Sequence, residues 1–155
     1  MRMDIPGAGN LVLDYLVLDF TGTLSISGYL IPGVAERLKD LSNQLKINVL
    51  TADTFGKVRQ ALDGLPVKLT IMDRAPEDRF KEAFVESLGA DRVAAMGNGN
   101  NDRLMLKKAA LGVAVIEGEG CSVQTLVNAD LVVNSILDGL DLLREPLRIR
   151  AGLRF

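Results

Sequence analysis

Three loops and one lysine in this sequence combine residue types that phosphoryl transfer requires. Asp19 and Thr51 each end an apolar run, and a glycine- and asparagine-rich loop at 97–102 follows another. Lys81 lies between Thr51 and that loop. A carboxylate can attack phosphorus and form an acyl phosphate. A hydroxyl and an ammonium group can hold phosphoryl oxygens and stabilise charge in the transition state. Together these residues predict a phosphate site.

The same segments suit a hard divalent cation. Mg²⁺ prefers oxygen ligands and keeps several of its waters, and these segments offer carboxylates and the carbonyls of the glycine-rich loop at 97–102. Backbone N–H groups can approach a phosphate closely in such loops. We predict such backbone contacts with the phosphate at Gly22, in the loop after Asp19, and at Ala52, directly after Thr51.

The composition excludes several other kinds of site. With no histidine and one cysteine, the chain has no Ser–His–Asp triad, His-ligated metal, intrachain disulfide or Cys-rich zinc site. Its formal net charge of −2 gives no general attraction to nucleic acid. No apolar run reaches the roughly 18 residues needed to span a bilayer, and the N-terminus lacks the order of a signal peptide. The length of 155 residues fits one domain. We therefore expect a single cytoplasmic domain that binds neither nucleic acid nor membrane.

Short apolar runs alternate with amphipathic stretches along the chain. The predicted buried strands are at 15–19, 46–51, 68–72, 92–96, 112–116 and 130–133. Because these runs are unbroken, they favour parallel strands that are buried on both faces. Apolar residues at helical spacing predict helices between them. We therefore expect a three-layer α/β/α, Rossmann-like domain with a mostly parallel sheet, whose ligands bind at the carboxyl ends of the strands.

Local signals predict two hairpins and two helix caps. Proline and glycine within 5–13 indicate a short N-terminal hairpin, and Gly28 indicates a second hairpin over 25–31. Thr54 and Asp102 are candidate N-caps of the helices that follow them.

The C-terminal tail has a different pattern. Residues 147–155 alternate apolar side chains with arginine or glycine. This alternation predicts an edge strand or a frayed end. The alternative is an arm that packs on a neighbouring subunit and brings arginines near its phosphate site.

The order of the loops is that of a known superfamily. Residues 19–24 (DFTGTL) resemble the first motif of the haloacid dehalogenase superfamily, and Thr51 resembles the second. Lys81 resembles the third motif, and 97–102 (GNGNND) resembles the fourth. The resemblance covers most of the predicted core.

Within that superfamily the chain is most similar to the phosphorylation domain of P-type ATPases. The ATPase motif DKTGTLT is similar to 19–25, TGD is similar to 51–53, and GDGxND is similar to 97–102. Without a membrane span or nucleotide domain, the chain looks like a soluble P-type ATPase-like phosphatase.

The resemblance implies a role for each matching residue. Asp19 would be the nucleophile that forms an aspartyl phosphate, and also a Mg²⁺ ligand. Thr21 would offer its backbone carbonyl to Mg²⁺, and Thr51 would bind a phosphoryl oxygen. Lys81 would hold the phosphate and neutralise Asp19, while Asp102 would stabilise the metal site through water or through Lys81. The implied activity is Mg²⁺-dependent hydrolysis of a phosphorylated small molecule or macromolecule.

Two positions depart from the superfamily pattern. Most of its phosphatases have an aspartate two residues after the nucleophile, as general acid and base, where this chain has Thr21. This change predicts slower hydrolysis of the phosphoenzyme, because acid–base help is typically worth about 10²–10⁴-fold. Asn98 stands at an acidic position of the fourth motif, which predicts weaker Mg²⁺ binding. Asp53 or a partner chain could substitute for the missing carboxylate.

A second function fits the same residues. A non-enzymatic phosphoacceptor or regulatory module would also use Asp19, and slow hydrolysis would suit it. The order of the motifs argues against a receiver-type switch, whose acceptor follows an interior strand of the sequence.

The spacing of the motifs leaves no room for the larger lid domains of the superfamily. About 25 residues separate the first two motifs, and fewer than about 30 separate the next two. We therefore expect a capless protein that is either a homo-oligomer or has a broad, open site.

Overall fold

Strands and helices alternate along the chain in a computed structural model that describes residues 1–53, 56–72 and 76–155. The strands of these ranges are β1 (Arg2–Ile5), β2 (Gly9–Val12), β3 (Tyr15–Asp19), β4 (Ser25–Ile26), β5 (Tyr29–Leu30), β6 (Lys46–Thr51), β7 (Val67–Ile71), β8 (Val93–Gly97), β9 (Leu111–Val115) and β10 (Leu131–Val133). Their α-helices are α1 (Val34–Leu41), α2 (Val58–Ala61), α3 (Glu77–Ser87), α4 (Arg103–Lys108), α5 (Val123–Leu126), α6 (Ile136–Arg144) and α7 (Pro146–Leu153).

The central sheet has six parallel strands in the order β10-β9-β8-β3-β6-β7. β3 lies between β8 and β6, so the three strands that precede the motif loops are neighbours at the centre of the sheet. The chain crosses from one side of β3 to the other between β7 and β8. At such a switch point the loops diverge and leave a crevice at the carboxyl edge. The predicted fold class is confirmed.

The two faces of the sheet bury separate apolar clusters. On one face Leu16 and Leu18 pack with buried residues of α1, α2, α6 and α7. On the other face Val17 packs with buried residues of α3 and α4. The alternation along β3 follows from the strand period of two, and it produces the three layers that the sequence predicts.

Each predicted core strand is present, with ends that differ by at most one residue. Both predicted hairpins are also present. β1 pairs antiparallel with β2, and β4 pairs antiparallel with β5. The helix cap predicted at Thr54 lies outside the described residues.

The expectation for the C-terminal tail was wrong. Its residues form α7, which begins at Pro146 and packs on β1 of the same chain. Ile149 is fully buried, and Leu153, four residues later, is partly buried against the same core. Spacing of four is the helical period, and α7 is therefore neither an edge strand nor an arm that extends from the domain.

No helix in the described ranges is both long enough and apolar enough to cross a bilayer. The cytoplasmic location stays a prediction.

Candidate active site

A pocket at the carboxyl edge of the sheet contains most of the predicted site residues. Its volume is about 170 Å³. It is lined by Asp19, Thr21, Thr51, Ala52, Glu77, Asn98, Gly99 and Asn101. The strands β3, β6 and β8 supply these residues from their carboxyl ends, and α3 supplies Glu77 from its first turn. The topology thus brings together four segments that are far apart in sequence.

A buried ion triad lies at the base of this pocket. The Lys81 Nζ donates a hydrogen bond to Asp19 Oδ1 at 2.7 Å and another to Asp102 Oδ1 at 2.6 Å. Lys81 and Asp102 are fully buried, and Asp19 is 5% exposed. Two carboxylates face one ammonium group, so the triad carries one excess negative charge when Asp19 is ionised.

Burial governs the protonation of this triad. Removal from water, together with the negative charge of Asp102, raises the pKa of Asp19 to about 7, although Lys81 acts in the opposite direction. Burial by itself lowers the pKa of Lys81, but the charges of Asp19 and Asp102 outweigh it and hold that pKa above its usual value. Lys81 is therefore a permanent cation at physiological pH.

The Thr23 hydroxyl connects Asp19 to the loop after β8. Its Oγ1 lies 3.1 Å from Asp19 Oδ2 and 3.1 Å from Asn98 Oδ1. A hydroxyl has one hydrogen, so it donates to one of these oxygens at a time. The Asn98 Nδ2 donates to the Gly120 carbonyl at 2.9 Å, and this contact directs Asn98 Oδ1 toward Thr23.

Asp102 organises the loop after β8 rather than capping α4. Its Oδ2 accepts hydrogen bonds from the backbone N–H groups of Asn98 at 3.0 Å and Gly99 at 2.9 Å, and α4 has no side-chain cap. A Cβ at Gly97 would lie 2.4 Å from Asp102 Cγ, so glycine is needed there for the carboxylate to fold back. Asp102 does not line the pocket, and its Oδ1 accepts from Lys81, so it is placed to act on the site through Lys81.

Thr51 presents its hydroxyl hydrogen to the pocket. Its Oγ1 accepts the backbone N–H of Asp53 at 3.0 Å, which leaves the hydrogen for another acceptor. Ala52 also lines the pocket. Asp53 is a turn residue, because its Oδ1 accepts the Val58 N–H at 3.1 Å and its φ is +52°.

The backbone of Gly22 does not serve the role that the sequence suggested. Its N–H donates to the Ser25 carbonyl at 2.9 Å, so this donor is not directed at a phosphate. Gly22 has φ +77°, and a Cβ there would lie 2.5 Å from Asn98 Nδ2. Glycine at 22 therefore allows the loop after β3 to approach the loop after β8.

The donors around the pocket fit Mg²⁺. Asp19, Thr21 and Asn98 all line it, and each carries an oxygen of the hard type that Mg²⁺ prefers. The excess negative charge of the triad attracts a cation. Mg²⁺ demands few protein ligands because it keeps several waters, so three oxygen donors are sufficient.

Three residues of the site were missed from the sequence. Thr23 lies inside the first motif and bonds to Asp19. No sequence signal assigns a role to Glu77, and Asn101 is marked only as part of the loop at 97–102. The Asn101 Nδ2 donates to Glu77 Oε2 at 2.6 Å. The pairing joins residues 24 positions apart, so a local sequence signal could not have revealed it.

A larger pocket of about 460 Å³ lies at the amino edge of the sheet, between the β1–β2 hairpin and the end of α7. Its carboxylates, Asp91 and Asp130, have no lysine, arginine or hydroxyl beside them among the described lining residues. The residue types that phosphoryl transfer requires are therefore gathered at the smaller pocket.

A relative of known sequence matches part of the chain. The uncharacterized protein MJ0073 of Methanocaldococcus jannaschii is 48% identical over 63 residues, which are 41% of this chain and 68% of MJ0073. The chain belongs to the family of MJ0073. No model of a protein family matches it.

A more distant similarity extends over most of the chain. The ATP-binding subunit of a potassium-transporting ATPase from Thermoplasma volcanium is 26% identical over 137 residues, or 86% of this chain. Those residues are 20% of the subunit, so the chain spans about a fifth of that protein.

Solved structures share the fold. A structure from Legionella pneumophila assigned to subfamily III A of the haloacid dehalogenase (HAD) superfamily hydrolases has a TM-score of 0.72 and 17% identity, and the match covers 91% of this chain and 87% of that one. The 3-deoxy-D-manno-octulosonate 8-phosphate phosphatase from Moraxella catarrhalis, with magnesium, phosphate and KDO, has a TM-score of 0.65 and 17% identity over 86% of each chain. This member of the MJ0073 family has the fold of the HAD superfamily.

Proposed function

We propose that the protein is a Mg²⁺-dependent phosphohydrolase that acts on phosphate monoesters through an aspartyl phosphate at Asp19. One observation carries the proposal. Asp19 is held by Lys81 at 2.7 Å and by Thr23 at 3.1 Å in a pocket that it shares with Thr51 and Asn98. A nucleophile, two groups for phosphoryl oxygens and an oxygen donor for a cation thus occupy one small volume.

The first half of the proposed reaction transfers the phosphoryl group to the protein. An Asp19 carboxylate oxygen attacks phosphorus, the bond from phosphorus to the ester oxygen breaks, and the leaving alkoxide takes a proton from solvent water. Lys81 and the Thr51 hydroxyl stabilise the negative charge on the phosphoryl oxygens. When bound, Mg²⁺ neutralises further charge, held by Asp19, the Thr21 carbonyl and Asn98.

The second half regenerates the carboxylate. Water attacks the phosphorus of the acyl phosphate, the bond to Asp19 breaks, and orthophosphate leaves. The phosphorylated substrate is either a small molecule or part of a macromolecule, since a shallow pocket admits both.

The test compares the wild-type protein with Asp19→Asn in hydrolysis of p-nitrophenyl phosphate with Mg²⁺. We expect turnover in the wild type, loss of at least about 10³-fold in the variant because the covalent route is removed, and loss on addition of EDTA. A wild type and a variant that turn over at equal rates would exclude Asp19 as the nucleophile.

The same assay separates the enzyme from a phosphoacceptor. One equivalent of phosphate bound at Asp19 without turnover would favour the regulatory module. The Thr21 side chain is what keeps this second function open, because a threonine cannot act as a carboxylate base.

A further inference from the structure

Hydrolysis of the phosphoenzyme needs a group that accepts a proton from water. Thr21 cannot accept it as a carboxylate would, and such help is typically worth about 10²–10⁴-fold. If the proposed function holds, another side chain of this pocket must supply it, or the phosphoenzyme is long-lived.

Other carboxylates of the described residues near the site are already engaged. Asp19 carries the phosphoryl group at this stage. Asp102 is fully buried, and both of its oxygens accept hydrogen bonds from Lys81 or from backbone N–H groups. Asp53 accepts from the Val58 N–H and does not line the pocket. The expectation that Asp53 takes the role of the carboxylate missing at position 21 therefore has no support in the structure.

Glu77 lines the same pocket as Asp19 and Thr21. It is the first residue of α3, and Lys81 follows it by four positions. Residues four apart lie on the same face of a helix, so the face that delivers Lys81 to Asp19 also directs Glu77 toward the site. The first turn of a helix favours negatively charged side chains.

The carboxylate of Glu77 is also fixed in place. The Asn101 Nδ2 donates to Glu77 Oε2 at 2.6 Å, and Asn101 itself lines the pocket. Within the described part of the chain no hydrogen bond is found to Oε1. One oxygen is thus anchored, while the other is available to a water molecule.

We propose that Glu77 is the general base of the dephosphorylation step, in place of an aspartate at position 21. A water oxygen forms a bond to phosphorus as the bond from phosphorus to Asp19 breaks. The water proton moves to Glu77, orthophosphate leaves, and the proton then passes to solvent.

Burst kinetics with p-nitrophenyl phosphate isolate this step, because the nitrophenolate departs without a proton. We expect Glu77→Gln to retain a burst of about one nitrophenolate per protein, with an acyl phosphate trapped by acid quench. Its steady-state rate should fall by about 10²-fold or more. Glu86→Gln, the same change on the exposed part of α3, should match the wild type.

The double variant Thr21→Asp/Glu77→Gln gives the second readout. Because position 21 lines the same pocket, a carboxylate there should restore the steady-state rate at least about 10-fold over Glu77→Gln. A merely structural role of Glu77, such as holding Asn101, would not be rescued in this way.

Three outcomes would overturn the proposal. The first is an unchanged steady-state rate in Glu77→Gln, and the second is a burst that is lost in proportion to turnover in this variant. The third is a steady-state rate of Glu77→Gln that recovers fully at higher Mg²⁺, which would make Glu77 a metal ligand. Failure of the proposed function is distinct, since the wild type would then show no burst that depends on Asp19.

Discussion

Lys81 balances the charge of two buried carboxylates. The family resemblance predicts that it neutralises Asp19, and in the structure it is fully buried and bonded to both Asp19 and Asp102. Removing one partner from a buried charge group is costly, because the remaining charges lose their compensation.

The variant Lys81→Met should therefore destabilise the protein by about 3–5 kcal/mol, measured by urea denaturation without Mg²⁺. Lys108→Met is the matched control. Lys108 pairs with Glu86 at the surface, where both side chains are more than 40% exposed, and such pairs contribute about 0–1 kcal/mol. Equal losses in the two variants would show that the triad does not stabilise the fold.

How far the site could be predicted depends on the range of each contact. Asp19 and Thr51 could be predicted as site residues because each ends an apolar run, and the carboxyl ends of parallel strands lie at the same edge of the sheet. Thr23 bonds to Asn98 across 75 residues, and Glu77 bonds to Asn101 across 24. Contacts between residues so far apart in sequence depend on the order of the strands and on the direction of α3. The local pattern of apolar and polar residues specifies neither.

The elements themselves were largely predictable for a physical reason. Strands buried on both faces must be apolar throughout, so their limits are visible in the sequence. The prediction for the C-terminal tail was wrong because it gave more weight to the alternation over residues 147–155 than to the helical spacing of Ile149 and Leu153. Pro146, placed in the first turn of α7, is a typical start signal for a helix.

The close packing of α4 on β9 predicts that a larger residue at the point of contact destabilises the protein. A Cβ at Gly112 would lie 2.3 Å from the Leu106 carbonyl oxygen, and backbone cannot move aside as a side chain can. Gly112→Ala should lower the free energy of unfolding by about 1–3 kcal/mol, measured by urea denaturation.

Gly152→Ala is the control for that change. A Cβ at Gly152 in α7 would meet only the end of the Leu131 side chain, at 3.2 Å, and alanine favours a helix by up to about 1 kcal/mol over glycine. We expect unchanged or slightly higher stability. If both variants lose stability equally, the contact between α4 and β9 is not the cause.

At the scale of the whole molecule, no lid domain lies between β3 and β6 in the part of the chain that the structure describes. Between β3 and β6 the described elements are the β4–β5 hairpin and α1. The Ser27 N–H donates to Glu119 Oε1 at 2.6 Å and joins the hairpin to the loop after β9. Formation of a homo-oligomer stays a prediction.

Protonation of Asp19 links the stability of the whole protein to pH and to Mg²⁺. Burial raises its pKa to about 7, above the ordinary aspartate value of about 3.9 in the unfolded chain. Between these values the folded state binds the extra proton, so this contribution to stability falls as pH rises from about 4 to 7.

We therefore expect the melting temperature of the wild type relative to Asp19→Asn, both in EDTA, to decrease between pH 5 and pH 8. The variant has no titrating group at position 19, so the difference isolates this carboxylate from groups such as Asp141, whose pKa is lowered by Arg37. Under the proposed function Mg²⁺ binds the ionised carboxylate, and a ligand that binds only the folded state stabilises it. Its addition should raise the melting temperature of the wild type more at pH 8 than at pH 5, and that of the variant little at either. A difference in melting temperature that stays constant with pH in EDTA would show that the pKa of Asp19 is not raised. A Mg²⁺ effect that survives in Asp19→Asn would show that the cation is not bound through Asp19.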